Sequence, residues 1–397
     1  MTSTLAPQTQ SAVRDKLPLA GLFALFTAGF VSVLTETLPA GLLPQMSSAF
    51  GQSESLTGQT ITIYAVGSAV SAIPLSTAMT RWGRRNVVLA ALIGFILANT
   101  ATALAPTIGF AFGARFVAGI AAGLIWSNIG GYAARLVPGK LQGRGIAIAM
   151  AGTPVALSLG LPAGAFLGTV VDWRWVFGIV TAISVLLVGW VLWKLPNFEG
   201  QALGDRVTLK DAVMLRGIRT ILWTLAGFVV AHNLLYTYIG PLVAHAGIAD
   251  QLQWVLFTFG VASILSIWII GTFIDRHHRK LIVASMALFA LAALAIALSD
   301  AGTLLLYVAV AAWGLTFGGA TALFLTAGSR AAGTAADVAQ AMIVTVFNIG
   351  IALGGLIGGI FLAGFGVISI PWLAFIIMIP TLIWVALGKT HAIPAKF

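Results

Sequence analysis

There is no cysteine anywhere in the 397 residues, and charge is nearly as scarce, with only 8% of the chain Asp, Glu, Lys or Arg. The first absence excludes disulfides, thiol catalysis and thiolate-bound metals, whatever the redox compartment. The second, beside 59% hydrophobic residues and a mean hydropathy of +1.01, excludes a water-soluble globule and implies a polytopic membrane protein. Acidic residues are the scarcer sign, 11 against 21 basic. In a soluble chain the net charge of +10 would point to nucleic acid; in a membrane protein the positive-inside bias accounts for it without a polyanionic partner. The five histidines, His232, His245, His277, His278 and His391, are scattered or lie near charged loops. No carboxylate accompanies them inside an apolar segment. No metal site, no cofactor and no catalytic constellation is therefore expected. A single "GKT" at Gly388 to Thr390 has Ile383 where a phosphate loop needs its first glycine, which removes a nucleotide-driven pump.

What is present is a series of apolar segments long enough to cross about 30 Å of hydrocarbon. They fall near 17–43, 56–79, 86–105, 107–136, 144–171, 174–195, 217–243, 252–274, 281–299, 302–328, 338–365 and 368–388. The polar start "MTSTLAPQTQSAVRDK" precedes a stretch longer than a signal-peptide core, so the first span is expected to be retained. The expected fold is all-α: a six-helix bundle over 17–195 and a second over 217–388. A cytoplasmic linker, 196–216, joins them, and tails occupy 1–16 and 389–397. With both termini in the cytoplasm, every lysine and arginine except Arg115 and Arg174 falls inside, while Glu54, Asp172, Asp250 and Asp300 fall outside.

The two halves repeat. "STAMTRWGRR" (Ser76 to Arg85) returns as "GTFIDRHHRK" (Gly271 to Lys280), Arg81 matching Arg276 at an offset of 195. The same offset pairs Arg84 with Arg279, Gly119 with Gly314, Gly123 with Gly318, Arg135 with Arg330, Gly160 with Gly355 and Gly164 with Gly359. Parallel repeats with a substrate path between them are a transporter plan.

These stretches resemble the paired loop motifs of the major facilitator superfamily. "GARFVAGIAAG" (Gly113 to Gly123) resembles its fourth-span motif, with Arg115 the embedded arginine. "GLPAGAFLG" (Gly160 to Gly168) resembles the fifth-span motif of proton-driven exporters. "TETLPAGLLPQMSSAFG", "YTYIGPL" and "FNIGIALGGLIGG" are similar to bacterial twelve-span exporters of drugs, sugars and ribonucleosides. The first loop departs from the family with Thr80 for aspartate and Ser76 for glycine, whereas Asp275 and Gly271 keep the second copy. The resemblance implies a major facilitator fold, with the second span beside the eleventh and the eighth beside the fifth.

Candidate site residues follow. Glu36 is the one acid deep inside a span and Arg115 the one base, both about 10 to 12 Å from the outer helix end at 1.5 Å per residue. Charges in lipid are costly, so both are expected to face the interior. A structural ion pair and a proton or substrate site both remain open for them. In the seventh span His232 and Tyr236 share a face at i, i+4, with Asn233 and Tyr238 nearby; cavity lining and interfacial anchoring are both open. His232 is also a substitute proton carrier. Trp126, Asn128 and Asn348 are further cavity candidates. Gly160, Gly164 and Gly168 form a bare helix face, static or sliding, on a helix that Pro162 can bend. For gating, Asp337 is expected to meet Arg81, Arg84 and Arg85, and Asp275 to meet Arg144, with Arg276 and Arg279 in the second loop. The expected protein is a monomeric, proton-coupled exporter of a small solute in the bacterial inner membrane; its alternative is a proton symporter for uptake of a sugar or nucleoside.

Overall fold

A computed structural model describes residues 17–79, 82–138, 142–199, 217–298, 302–332 and 336–387. Among these there are helices and no strand, as a bilayer requires of a chain that is not a closed barrel. Eleven helical stretches are long and apolar enough to cross a membrane. The remaining expected span, Glu54–Ala78, is 25 residues long and lies outside those eleven; it carries buried Thr57, Thr60, Thr62, Ser68 and Ser71. It is the polar helix of the set, and it packs against the fourth span in its own half and the eleventh in the other.

The first span is Leu19–Gly41, followed after Leu42 by a short helix, Leu43–Phe50. The third, fourth and sixth are Arg84–Ala103, Ile108–Leu136 and Trp173–Lys194. The seventh, Ile218–Thr237, breaks at Tyr238 and resumes as Ile239–His245. The loop expected between the eighth and ninth spans is reduced to a kink at His277 (φ −132°, ψ 24°), which joins two spans, Ala249–Ile274 and Arg276–Ala297, along the helical stretch Leu252–Ala297. "GTFIDRHHRK" holds no proline, so nothing in it forces a longer interruption. The tenth span is interrupted between Thr303–Phe317 and Ala320–Ala332, where Gly318 lies against the backbone of Ser263. The eleventh and twelfth are Ala336–Phe365 and Ser369–Leu387.

The fifth span is the most broken. It runs as Gln142–Met150, Gly152–Val155, a five-residue π turn Ala156–Gly160, and Leu161–Val170. Pro162 has no N–H for the Ser158 carbonyl one turn earlier, and the Leu161 N–H reaches back to Ala156 instead. Contacts between the halves run from the second span to the eleventh and from the fifth to the eighth, with the first also touching the seventh.

Candidate functional site

The interior charge site is organised by a proline. Pro39 sits inside the first span and cannot donate to the carbonyl of Thr35. Arg115, fully buried in the fourth span, fills that gap: its Nη1 donates to the Thr35 carbonyl at 2.7 Å and its Nη2 to the Glu36 carbonyl at 3.1 Å. Its Nε donates to the Thr60 carbonyl of the second span at 3.4 Å, and its Cζ lies 4.8 Å from the Tyr64 ring centroid. Asn99 of the third span donates to the Thr35 hydroxyl at 2.9 Å, and the Tyr64 hydroxyl donates to the Ser32 carbonyl at 3.0 Å. Three spans, the second, third and fourth, thus grip the first helix around the residue that precedes Glu36.

Arg115 is spent on main-chain carbonyls, and no ion pair joins it to the Glu36 carboxylate among the described residues. The carboxylate is partly exposed and accepts no hydrogen bond from a described residue. The bond from Arg115 Nη2 to the Glu36 carbonyl sets the guanidinium beside the residue that carries the carboxylate. An interior acid held without a fixed partner can take up and release a proton without dismantling a salt bridge.

The seventh-span candidates divide. His232 is buried with its ring stacked on Phe317, centroids 3.5 Å apart, and on Tyr236 at 5.1 Å. Its Nδ1 accepts the Trp313 Nε1–H at 3.0 Å. An indole nitrogen can only donate, so a second ring proton has no place at Nδ1 in this conformation, and His232 belongs to an aromatic core with Phe259, Trp313 and Phe317. Asn233 and Asn348 bond their own helices, at Val229 and Val344. Asn128 exchanges bonds with Arg84, Nη1 to Oδ1 at 3.1 Å and Nδ2 to the Arg84 carbonyl at 2.9 Å. It lies thirteen residues along the fourth span from Arg115, about 20 Å at 1.5 Å per residue, and the partly buried Trp126 lies eleven residues along, about 16 Å. The structure therefore leaves Tyr236 as the seventh-span candidate whose buried hydroxyl has no partner, and sets Trp126 and Asn128 far along the fourth span from Arg115.

Tyr238 does something else. Its hydroxyl donates to the Gly355 carbonyl at 2.8 Å and accepts from Gln59 Nε2 at 3.1 Å; Gln59 Nε2 also reaches Gly355, and Ser55 Oγ donates to the Gly359 carbonyl at 2.6 Å. Gly58, Gly358 and Gly359 leave room for the Tyr238 ring and hydroxyl. These bonds tie the second span to the seventh and eleventh at the end of the molecule that carries Glu54, and that end is closed. Tyr238→Phe removes the shared hydroxyl while keeping the ring. It is expected to loosen this closure, read as faster labelling of a cysteine placed at Thr62.

The glycine face of the fifth span is turned toward the helix that carries Glu36. A Cβ at Gly160 would stand 3.0 Å from the Phe30 ring and 3.2 Å from Leu34; Gly164 faces Leu38 and Gly168 faces Leu42. Pro162 is buried beside them. Gly164→Val is expected to cost about 1–3 kcal/mol by overpacking, seen as a lower melting temperature of the purified protein. Gly178→Ala, inside the sixth span at a glycine with nothing within 4 Å, should not lower it.

At the basic end the loop arginines serve their own halves. Arg84 binds Asn128, Arg85 reaches Asn197 Oδ1 through its N–H and the Leu195 carbonyl through Nη1, and Arg279 Nη2 caps the Val385 and Ala386 carbonyls of the twelfth span at 3.0 Å each. Arg276 is exposed. Arg81 and the side chains of Arg144, Asp275 and Asp337 lie outside the described residues, so the expected latches do too.

The family model described as Major Facilitator Superfamily matches residues 25–334. Among curated relatives, a probable sugar efflux transporter of Helicobacter pylori (strain P12) is 26% identical over 381 residues, covering 91% of this chain and 96% of its own. A purine ribonucleoside efflux pump of Shigella sonnei is 26% identical, covering 87% and 89%. A chloramphenicol efflux pump of Mycobacterium tuberculosis is 29% identical, covering 85% of each chain. A solved structure of the Escherichia coli xylose transporter superposes with a TM-score of 0.76 at 12% identity, over 94% of this chain and 98% of that one, and so shares the fold.

Proposed function

The chain belongs to the Major Facilitator Superfamily, a multi-pass membrane transporter and not an enzyme, and we propose that it exports a small polar or amphipathic solute in exchange for protons. The observation that carries this reading is Glu36, an acid inside the first span whose carboxylate has no fixed partner, beside an arginine engaged elsewhere. Protonation from the outer side removes its charge and biases the two bundles toward the other opening. A proton shifts such an equilibrium only by its differential affinity for the two states, and a carboxylate whose surroundings change as the bundles move has one.

Export rather than uptake is supported by the names of the relatives, all efflux proteins, and by the fifth-span glycine face lying on the helix that carries the proton site. The relatives also narrow the solutes to test: sugars, purine ribonucleosides and chloramphenicol. The membrane is the bacterial inner membrane, with both termini cytoplasmic, so the closed end faces outward. The pairs Asp275 with Arg144 and Asp337 with the first-loop arginines complete the cycle by closing the cytoplasmic end when the outer one opens.

The test is accumulation of each solute by inverted membrane vesicles with and without an interior-acid pH gradient. Gradient-dependent accumulation of at least one solute class is expected. Accumulation that needs no gradient, or that an opposite gradient drives, contradicts proton-coupled export.

A further inference from the structure

Tyr236 has a hydroxyl that nothing in its own bundle uses. The residue is 4% exposed and its Oη is buried with no hydrogen-bond partner. Its ring has little freedom, stacked on His232 and set against Phe259 at 5.4 Å and Trp313 at 6.0 Å. Across the bundle boundary the first and seventh spans are in register, since a Cβ at Gly240 would meet Pro44 at 3.5 Å and the Ala40 carbonyl at 3.9 Å. Both are odd-numbered spans and run the same way. Four residues back along each, past the break at Tyr238 in the seventh, lie Glu36 and Tyr236.

The other groups in reach of Glu36 are already engaged. Arg115 holds three carbonyls and the Tyr64 hydroxyl holds Ser32. The remaining helices that pack on the first span bring no titratable residue to this level: none occurs in 86–103, 145–170, 175–193 or 252–270. A donor without a partner on one bundle and a carboxylate without a partner on the other therefore lie at one level of two adjoining spans.

We propose that the Tyr236 hydroxyl is the cross-bundle partner of Glu36, donating to its carboxylate when that carboxylate is charged and so tying the seventh span to the first. A hydrogen bond to a charged acceptor is roughly twice as strong as one to a neutral acceptor, so protonation of Glu36 weakens the tie. A solute hydroxyl or amide that takes the same carboxylate breaks it too. Proton and solute then compete for one release, which is what exchange requires. The inference rests on Glu36 being the proton site.

The test needs no transported solute, because the natural chain has no cysteine and a single Thr62→Cys reports on the closed interface, where Thr62 packs on Gly355. Its labelling by a maleimide, taken relative to that of an exposed reference cysteine at Gln52 so that the pH dependence of the thiolate cancels, is expected to accelerate at least about fivefold from alkaline to acid pH, the lower end of ordinary coupling between sites. Tyr236→Phe keeps the ring; it should make labelling fast at all pH values, as should Glu36→Gln, and the double change should add nothing to either. Tyr236→Trp, which retains a ring and a donor, is expected to keep part of the pH dependence. Parent-like pH dependence in Tyr236→Phe, with Glu36→Gln abolishing it, overturns the pairing and leaves the proton site standing. pH dependence that survives in Glu36→Gln removes the proton site itself, and a parent that labels equally at all pH values overturns both. If Tyr236→Phe does not fold, the Trp variant decides: an intact fold with no pH dependence counts against the pairing.

Discussion

Glu36→Gln is expected to lower gradient-driven accumulation in inverted vesicles by at least about tenfold, a loss of ~1.4 kcal/mol in driving or rate, while the purified protein stays folded. Glutamine keeps the length and a polar end but can carry neither charge nor an exchangeable acid proton. The carboxylate has no fixed hydrogen bond or ion pair among the described residues, so the one tie at stake is that proposed with Tyr236, and stability should change little. The surroundings of Arg115 change too, but its grip is on carbonyls. The variant should still exchange labelled for unlabelled solute across the membrane, a process that moves no net proton. Separating the two activities identifies coupling as what was lost. Normal gradient-driven transport by Glu36→Gln would place the proton site elsewhere.

Arg115→Lys is the second large effect, and it should differ in kind. Lysine keeps the positive charge but replaces a planar fork of donors by one ammonium on a flexible stem. The guanidinium reaches Thr35 and Glu36 on one helix and Thr60 on another from three different nitrogens, over the Tyr64 ring. An ammonium cannot span that set. At least one buried carbonyl is left unsatisfied, and the Thr35 carbonyl has no helical donor to fall back on because residue 39 is proline. Leaving such a group bare costs about 1–3 kcal/mol. Both the melting temperature and transport are therefore expected to fall, and exchange as well as gradient-driven movement should suffer, since the first span loses its shape and not only its proton. Parent-like transport by Arg115→Lys would mean that the arginine acts as a buried point charge alone.

Much of this architecture could be read from the chain. Long apolar runs, the lysine and arginine asymmetry and the offset of 195 between the loop arginines describe two repeated helical bundles, and the family comparison agrees. The rarity of interior charge singled out Glu36 and Arg115. What spacing could not give was who binds whom. Depth alone left an ion pair open, whereas the structure aims the guanidinium at carbonyls that Pro39 helps to free. That signal was in "TETLPAG", a proline four residues after Thr35, and becomes legible only when each proline is asked which carbonyl it abandons. Pro162 poses the same question in the fifth span, and the π turn is its answer. His232 differs again: its residue type suggests titration, whereas in the structure Trp313, eighty-one residues away in sequence, donates to its Nδ1. Tyr238 read as a cavity or interface tyrosine, and its hydroxyl is a clasp between bundles through Gln59, a residue with no motif to mark it.

Solute is proposed to leave as a proton enters through Glu36. This exchange is tested most directly by imposing an interior-acid pH gradient on inverted vesicles and following its decay with a pH-sensitive dye when a transported solute is added outside. With the parent protein the solute should dissipate the gradient, and with Glu36→Gln it should have no effect. A solute that dissipates the gradient equally well in Glu36→Gln, or one that the parent accumulates without disturbing the gradient at all, would contradict the account.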